Sequence, residues 1–354
     1  MHFRAFDLLK AIACNLIVLH HLAYYGPMAD VAWPLMPDVF SWLGSHGRVA
    51  VHAFLAMGGF LAARSLSSRE AVAAPLEAIL RRFIKLVPPF MAAMLIAVAA
   101  SALASQWMTH DSLSPTPGIR QILAHAFLLH GVLGIESISA GAWYVAIDFQ
   151  LFALMAVIMS LSARPRLPAW VAPTVVALCT AASLVYFNLD ASWDVWGMYF
   201  FGSYGLGALA WWASERAKSR WHATLVFGAI LLLGGLALNL EFRSRIAVAL
   251  GTALLLVPAC RRAISLPWQN ARPVRYFGRI SYAVFLVHFP VCLFVNAAFT
   301  RFAPALPEVQ AAGVLAAWLA SIAAGAAFHH WIEQPLAMLT LPSRDATAAN
   351  TVKA

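Results

Sequence analysis

Residues 86–104 read LVPPFMAAMLIAVAASALA, nineteen residues without a charged side chain. As a helix this segment is about 30 Å long, which matches the hydrocarbon thickness of a bilayer. The basic residues Arg81, Arg82 and Lys85 come directly before it. A charge-free run of this length with basic residues at one end predicts a helix that crosses a membrane, with the basic end in the cytoplasm.

The composition of the whole chain has the same character. Of its 354 residues, 62% are hydrophobic and 11% are charged, against about 45–50% and 25% in a soluble domain. This composition excludes an ordinary soluble protein, and it excludes disordered and collagen-like chains as well. The net charge of +9 does not indicate nucleic-acid binding, because the basic residues form no stripe interleaved with aromatic residues.

Apolar segments and the charges that flank them predict an all-α polytopic membrane protein with about ten transmembrane helices. The predicted spans are 6–25, 49–66, 86–104, 143–162, 169–187, 196–213, 221–240, 246–260, 279–299 and 311–333. Residues 121–138 are also apolar, but counting them as a span would place the basic segments 64–85 and 261–275 on opposite sides. We therefore expect 121–138 to lie against the outer face or to be partly re-entrant.

The distribution of basic residues orients this topology. With cytoplasmic N- and C-termini, most of the 24 Lys and Arg residues lie on the inner side, as the positive-inside rule requires. The residues left outside are Arg48, Arg120, Arg243, Arg245 and Arg301. We predict one integral-membrane domain over residues 1–341 and a short disordered tail over 342–354. The four cysteines are isolated in apolar runs, so no metal site is expected.

A few ionisable residues lie inside the predicted spans, where each costs about 2.5–3.5 kcal/mol on insertion scales. Lys10 and His21 are eleven residues apart and share one face of the first span, about 16 Å apart along its axis. Asp7 can pair with Lys10. Asp148 lies at a depth similar to that of His21, and a carboxylate beside an imidazole suits a general base. A structural ion pair with another helix is the alternative for Asp148.

The inner end of the protein carries a different chemistry. Arg82 and Lys85 share a helical face, and such a cluster suits a phosphorylated ligand at the cytoplasmic surface. The same cluster would also attract lipid headgroups. Glu333 closes the last span at this level and can pair with one of these cations.

Six short motifs follow one another from residue 6 to residue 336. They are Asp7-x-x-Lys10 followed by ten residues and His21, Gly58-Gly59-Phe60-Leu61, Arg82-x-x-Lys85 with Pro88, Trp143 to Asp148, Gly278 to Pro290, and Ile332-Glu333-Gln334-Pro335. In this order they resemble the acyltransferase-3 family, integral-membrane enzymes that O-acylate glycans, lipids and some small molecules. The chain departs from the family pattern in that Lys10 and Lys85 replace arginine, Asp148 replaces glutamate and Gly58 replaces serine.

The resemblance implies a cytoplasmic acyl-CoA donor, with acetyl-CoA as the expected co-substrate, and no bound cofactor. The implied acceptor is a hydroxyl of a cell-envelope glycan, lipid or related molecule, at the inner membrane of a bacterium. His21 would act as general base with Asp148 beside it. The residues expected to hold the CoA phosphates are Lys10, Arg82 and Lys85. The residues expected along a substrate channel are Tyr144, Ser281, Tyr282, His288 and Glu333, of which Tyr144, Ser281 or His288 would steady the oxyanion.

Several alternatives stay open at the level of sequence. A secondary transporter or flippase of a glycan or lipid intermediate would also bury charges, although the chain shows no paired broken helices in two halves. His288 could line a substrate channel or equally well form a hydrogen bond between helices. His20 could simply cap the first helix at the membrane interface. Cys14 lies on the same face of the first span as His21, so the acyl group could pass through a thioester on this cysteine. A separate periplasmic partner would complete the transfer if this domain does not act alone.

Overall fold

The computed structural model describes residues 4–164, 167–215, 219–261, 264 and 267–340, so the predicted tail at 342–354 lies outside the described residues. All regular secondary structure in this part is helical, which confirms the predicted class. The helices are α1 (Arg4–Tyr24), α2 (Pro27–Ala32), α3 (Pro37–His46), α4 (Val51–Leu66), α5 (Arg69–Ala73), α6 (Pro75–Ala104), α7 (Ile119–Ala126), α8 (Ala142–Ser162), α9 (Val171–Val185), α10 (Gly197–Ser214), α11 (Arg220–Leu240), α12 (Ser244–Cys260), α13 (Arg272–Phe302), α14 (Pro307–Phe328) and α15 (Gln334–Thr340). A π-helical turn, His329–Glu333, joins the last two.

Among the described residues, eight helical stretches are long and apolar enough to cross a membrane. The two further predicted spans, 196–213 and 246–260, correspond to α10 and α12, which have 18 and 17 residues and so fall at the short end of the spanning range. The segment 121–138 contains the end of the eight-residue α7 and then turns. It forms no helix of membrane length, in agreement with its exclusion from the spans.

Helices α6 and α13 begin earlier than predicted. Helix α6 starts at Pro75, so Pro88 and Pro89 lie inside it. Helix α13 starts at Arg272. Proline is tolerated within helices of membrane proteins because neighbouring groups and local adjustments satisfy the freed backbone carbonyls. The basic residues of both segments are therefore held on rigid helices and not on connecting loops.

Helix α10 lies at the centre of one group of helices and is buried on nearly all sides, as expected of a helix that is apolar all round. Its backbone touches that of α4, because a Cβ atom at Gly59 would lie 1.8 Å from the carbonyl oxygen of Tyr204 and one at Gly207 would lie 1.8 Å from that of Ala56. Close approach at small residues is typical of helices packed in membranes. The contact fixes the position of α4 beside the candidate site.

Helix α13 packs against α1 and α14 in a second group. A Cβ atom at Gly278 would lie 2.6 Å from Cα of Asp7, so the backbones of α1 and α13 are in contact there. Cys14 Sγ donates to the carbonyl oxygen of Ser281 at 3.4 Å along the same seam, where the thiol is buried. This packing lays the Lys10-to-His21 face of α1 along the 278–290 motif.

Candidate active site

A cavity of about 330 Å³ lies at the Lys10 end of α1, between α1, α4, α6, α8 and α13. We call it the cationic cavity. It brings together every predicted site residue except the two histidines, and these residues are Lys10, Arg82, Lys85, Tyr144, Asp148, Ser281, Tyr282 and Glu333. The motifs that carried the resemblance therefore meet in space, although they are spread over more than 300 residues of sequence.

An ion pair between Arg82 and Asp148 forms one wall of the cationic cavity. Arg82 Nη2 donates to Asp148 Oδ2 at 2.5 Å. The side chain of Asp148 is 8% exposed and that of Arg82 is 29% exposed, so the pair is screened only in part. Arg82 Nε is buried and has no hydrogen-bond partner among the described residues. The side chain nevertheless lines the cavity and stays 29% exposed, so the guanidinium can still meet a ligand there after pairing with the carboxylate.

The predicted contact of Asp148 with His21 is wrong. Asp148 lies in the cationic cavity, whereas His21 lines a separate cavity. A fully charged guanidinium on α6 offers the carboxylate a stronger, charge-assisted hydrogen bond than a neutral imidazole does. The alternative, an ion pair with another helix, is what the structure contains.

Glu333 was expected to pair with a cation of the cluster. Its Oε2 instead accepts a hydrogen bond from His329 Nδ1 at 2.7 Å within the π-helical turn, because the turn brings residues i and i+4 together. Arg279 lines the cationic cavity as well, and it was not predicted as a site residue. It also lines an adjoining cavity of about 750 Å³ together with Arg272 and Arg275.

The two predicted histidines are hydrogen-bonded to each other where α1 meets α13. His21 Nδ1 and His288 Nε2 are 2.6 Å apart, and the two rings meet edge to edge in nearly parallel planes, with an interplanar angle of 19° and centroids 4.8 Å apart. His288 Nδ1 lies 2.7 Å from the carbonyl oxygen of Phe285 and 3.2 Å from that of Val284. Of the two roles left open for His288, the structure therefore contains the hydrogen bond between helices.

A cavity of about 820 Å³, which we call the histidine cavity, contains His21 at the other end of α1. Aromatic side chains form much of its wall, namely Tyr24, Tyr25, Trp33, Phe40 and Trp143. Its polar lining residues include Asp30, Ser41 and Arg48. His20 also lines it, but its Nδ1 donates to the carbonyl oxygen of Leu43 at 3.0 Å, which fits the expected structural role.

Phe285 is the one described residue that lines both the cationic cavity and the histidine cavity. Its ring lies 5.2 Å from that of Tyr144 and 5.9 Å from that of His288, measured between centroids. We did not predict this residue from the sequence. The available signal was its helical spacing, since Ser281, Phe285 and His288 stand at i, i+4 and i+7 on one face of α13.

A further cavity of about 510 Å³ is formed by the segment after α7 together with α8, and it includes His130 and Trp143. The rings of His125 and His130 are stacked with centroids 4.1 Å apart. Burial and, to a lesser extent, the neighbouring His125 together lower the pKa of His130 to about 4. His130 is therefore uncharged at neutral pH, which is consistent with the apolar character of residues 121–138.

Comparison with known proteins gives one informative match. A family model described as an acyltransferase domain, that of the acyltransferase-3 family, matches residues 3–328. No curated protein and no solved structure matches the chain. The match covers nearly the whole chain and all but the last of the six motifs. The chain is therefore a membrane acyltransferase of the acyltransferase-3 family.

Proposed function

We propose that this protein transfers an acyl group, acetyl in the first place, from cytoplasmic acyl-CoA to a hydroxyl of a cell-envelope glycan, lipid or related acceptor. The observation that carries the proposal is the arrangement of two cavities along one unbroken helix. Lys10 of α1 lines the cationic cavity, His21 of the same helix lines the histidine cavity, and the two cavities meet at Phe285.

The charges of the cationic cavity support a polyanionic donor. Four cationic side chains line it against two carboxylates, and these are Lys10, Arg82, Lys85 and Arg279 against Asp148 and Glu333. The excess of positive charge suits the phosphates of CoA. Asp148 would orient Arg82 for this task, because the ion pair through Nη2 fixes the guanidinium while the side chain stays partly exposed to the cavity.

The length of α1 supports a donor that reaches from one cavity towards the other. Lys10 and His21 are about 16 Å apart along the helix axis, which is about the reach of an extended pantetheine arm. With its phosphates at Lys10, Arg82 and Lys85, the coenzyme would bring its thioester to Phe285. The acyl carbon would then lie between Tyr144 and the two histidines.

His21 would act as general base through Nε2, since its Nδ1 is engaged with His288. Nε2 takes the proton of the acceptor hydroxyl while the hydroxyl oxygen bonds to the thioester carbon. The tetrahedral intermediate then collapses with cleavage of the C–S bond, and the leaving CoA thiolate takes the proton from His21. The products are the O-acyl ester and free CoA, so no further reactant is needed.

Tyr144 is the best-placed donor for the oxyanion of that intermediate. It lines the cationic cavity beside Phe285, and its hydroxyl has no hydrogen-bond partner in the described part of the chain. Ser281 is less suited, because its hydroxyl already donates to the carbonyl oxygen of Gly278 at 3.0 Å. His288 is less suited as well, because both of its ring nitrogens are engaged.

The histidine cavity would receive the acceptor. Aromatic faces and a few hydrogen-bonding groups, such as those of Trp33, Trp143, Asp30 and Arg48, suit a ring-bearing polyol or a lipid headgroup. We place the cationic cavity on the cytoplasmic side of a bacterial inner membrane and the histidine cavity on the outer side. A separate periplasmic partner would hand on the product if the final acceptor lies further out.

The proposal is tested by transfer of radiolabelled acetyl from acetyl-CoA in membranes that contain the wild type or His21→Ala. We expect the substitution to lower kcat by about 10²–10⁴-fold, the usual contribution of a general base. His110→Ala is the matched control, since it removes an imidazole that lines neither cavity and is expected to retain the transfer.

Two results would contradict the proposal. Equal transfer by the wild type and His21→Ala would remove the catalytic role of His21. Uptake of a labelled glycan or lipid intermediate by the wild type, without any acyl transfer, would favour a transporter or flippase.

A further inference from the structure

The hydrogen bonds of His288 leave little freedom for the position of its proton. A backbone carbonyl oxygen only accepts hydrogen bonds, and His288 Nδ1 faces two of them, those of Val284 and Phe285. The proton of the neutral ring must therefore sit on Nδ1. His288 Nε2 then carries a lone pair and acts as an acceptor.

The position of that lone pair determines the protonation of His21. His21 Nδ1 lies 2.6 Å from His288 Nε2, and two lone pairs cannot face each other at this distance. His21 must therefore carry its proton on Nδ1 and its lone pair on Nε2. Free imidazole side chains in water favour the opposite tautomer, with the proton on Nε2, so the contact with His288 selects the less common form.

We propose that His288 is the positioning residue that fixes the tautomer of His21 and so presents the Nε2 lone pair to the acceptor hydroxyl. The proposal rests on the proposed role of His21 as general base. It assigns to a histidine on α13, with its proton anchored by two backbone carbonyls, the task that a carboxylate performs in many hydrolases.

The same geometry supports the proton-bound state. When His21 takes a proton on Nε2, its Nδ1–H becomes a charged donor, and a hydrogen bond from a charged donor is about twice as strong as a neutral one. The lone pair of His288 Nε2 is already in place to receive it. The neighbouring rings of Tyr25 and Phe289, with centroids 5.4 and 6.1 Å from that of His21, hold the imidazole in its plane without competing for its nitrogens.

Three substitutions of His288 separate this role from simple packing. The terminal atoms of glutamine reach the place of histidine Nε2, so His288→Gln keeps an acceptor for His21. Those of asparagine reach the place of Nδ1, so His288→Asn keeps the bond to the backbone carbonyls and loses the acceptor. His288→Leu loses both.

The first measurement is acetyl transfer with kcat and KM determined separately. We expect His288→Asn and His288→Leu to lower kcat by about 10²-fold with an unchanged KM for acetyl-CoA. His288→Gln is expected to remain within about tenfold of the wild type, because it still accepts from His21 Nδ1. Full activity in the Asn and Leu variants would overturn the proposal, as would a Gln variant that is no more active than they are.

The second measurement does not require turnover. Nitrogen-15 spectra of histidine-labelled protein distinguish protonated from unprotonated ring nitrogens, and His21→Ala identifies the signals of His21. We expect a protonated Nδ1 and a bare Nε2 in the wild type and in His288→Gln, and a shift towards the Nε2–H form in His288→Leu. A protonated Nε2 in the wild type, or spectra of His21 that do not respond to His288→Leu, would overturn the tautomer assignment. If acyl transfer were absent from the wild type, the proposed function would fail while these spectra still decided the tautomer.

Discussion

The two ends of α1 differ in the charge of the side chains around them. At one end the cationic cavity holds four positive side chains, and its best-defined contact is the ion pair of Arg82 with Asp148. At the other end His21 and His288 form a hydrogen bond between two groups that are both neutral in their ordinary state. The first end has a fixed charge that suits a permanently charged ligand. The second has a lone pair that suits the temporary uptake of a proton.

This difference teaches that substitutions at the two ends should have different kinetic signatures. Loss of charge at the cationic cavity removes binding that is present before and during reaction, so it raises KM. Loss of the base or its tautomer removes an interaction made only in the transition state, so it lowers kcat.

The largest effect is expected from the Arg82–Asp148 pair. Asp148→Leu or Arg82→Met alone leaves one charge without its partner, which for a largely buried pair costs about 3 kcal/mol. The double variant is expected to regain most of the stability, because a buried ion pair can be replaced by apolar groups of similar volume at little cost. Thermal unfolding of the single and double variants in detergent measures the coupling energy between Arg82 and Asp148.

The kinetics of the same double variant sharpen the comparison between the two ends. It should fold and still show a raised KM for acetyl-CoA, because it lacks one cation of the proposed donor site. A refolded double variant with a wild-type KM would show that Arg82 serves the fold only.

A smaller effect is expected from the two lysines of the cationic cavity. Among the described residues no carboxylate lies within 4.0 Å of the ammonium of Lys10 or Lys85, although the charges of Asp7 and Glu333 act on Lys10 from further away. Lys10→Ala combined with Lys85→Ala should raise the KM for acetyl-CoA about tenfold, which corresponds to about 1.4 kcal/mol, and leave kcat within about twofold. Transfer rates over a range of acetyl-CoA concentrations measure both constants. An unchanged KM would assign the lysines to membrane lipids.

The smallest effect is expected at Gly58. A Cβ atom there would lie 3.6 Å from Asp148 Oδ1 and 3.4 Å from the ring of Tyr204, which are ordinary contacts. The hydroxyl of Gly58→Ser can donate to Asp148 and add about 1 kcal/mol to the free energy of unfolding, with a kcat like that of the wild type. Gly58→Ala isolates the contribution of the hydroxyl. A serine variant no more stable than the alanine variant would contradict this contact.

Gly59→Ser should fail to fold, because its Cβ would lie 1.8 Å from the carbonyl oxygen of Tyr204.

Much of the fold could be predicted from the sequence, because a bilayer imposes a length and an apolar composition on each span. The segment 86–104 shows this directly, and residues 121–138 were excluded as a span through the charges around them. The starts of α6 and α13 could not be predicted in the same way. Both helices continue through polar residues beyond the apolar segment, where hydropathy gives no signal.

The members of the site could be predicted better than their partners. Lys10, Arg82 and Lys85 meet in one cavity as predicted, and Asp148, which was expected beside His21, joins them there. The sequence nevertheless predicted the wrong partner for Asp148. The prediction used the depth of Asp148 and His21 in the membrane, and depth does not specify which face of α8 is turned towards α1 and which towards α6. Phe285 could not be predicted as a site residue, because an apolar residue in an apolar helix has no chemical feature that distinguishes it from its neighbours.

The position of Phe285 has a consequence for the membrane as an insulator. In the proposed topology the two cavities open on opposite sides, and Phe285 is the side chain that lines both of them, so its phenyl ring forms part of the barrier against protons at this point. A passage wide enough for a thioester would also admit water and drain the electrochemical gradient of the cell. On the proposed function, the pantetheine arm would close this passage itself, because the route would be open only while the coenzyme fills it.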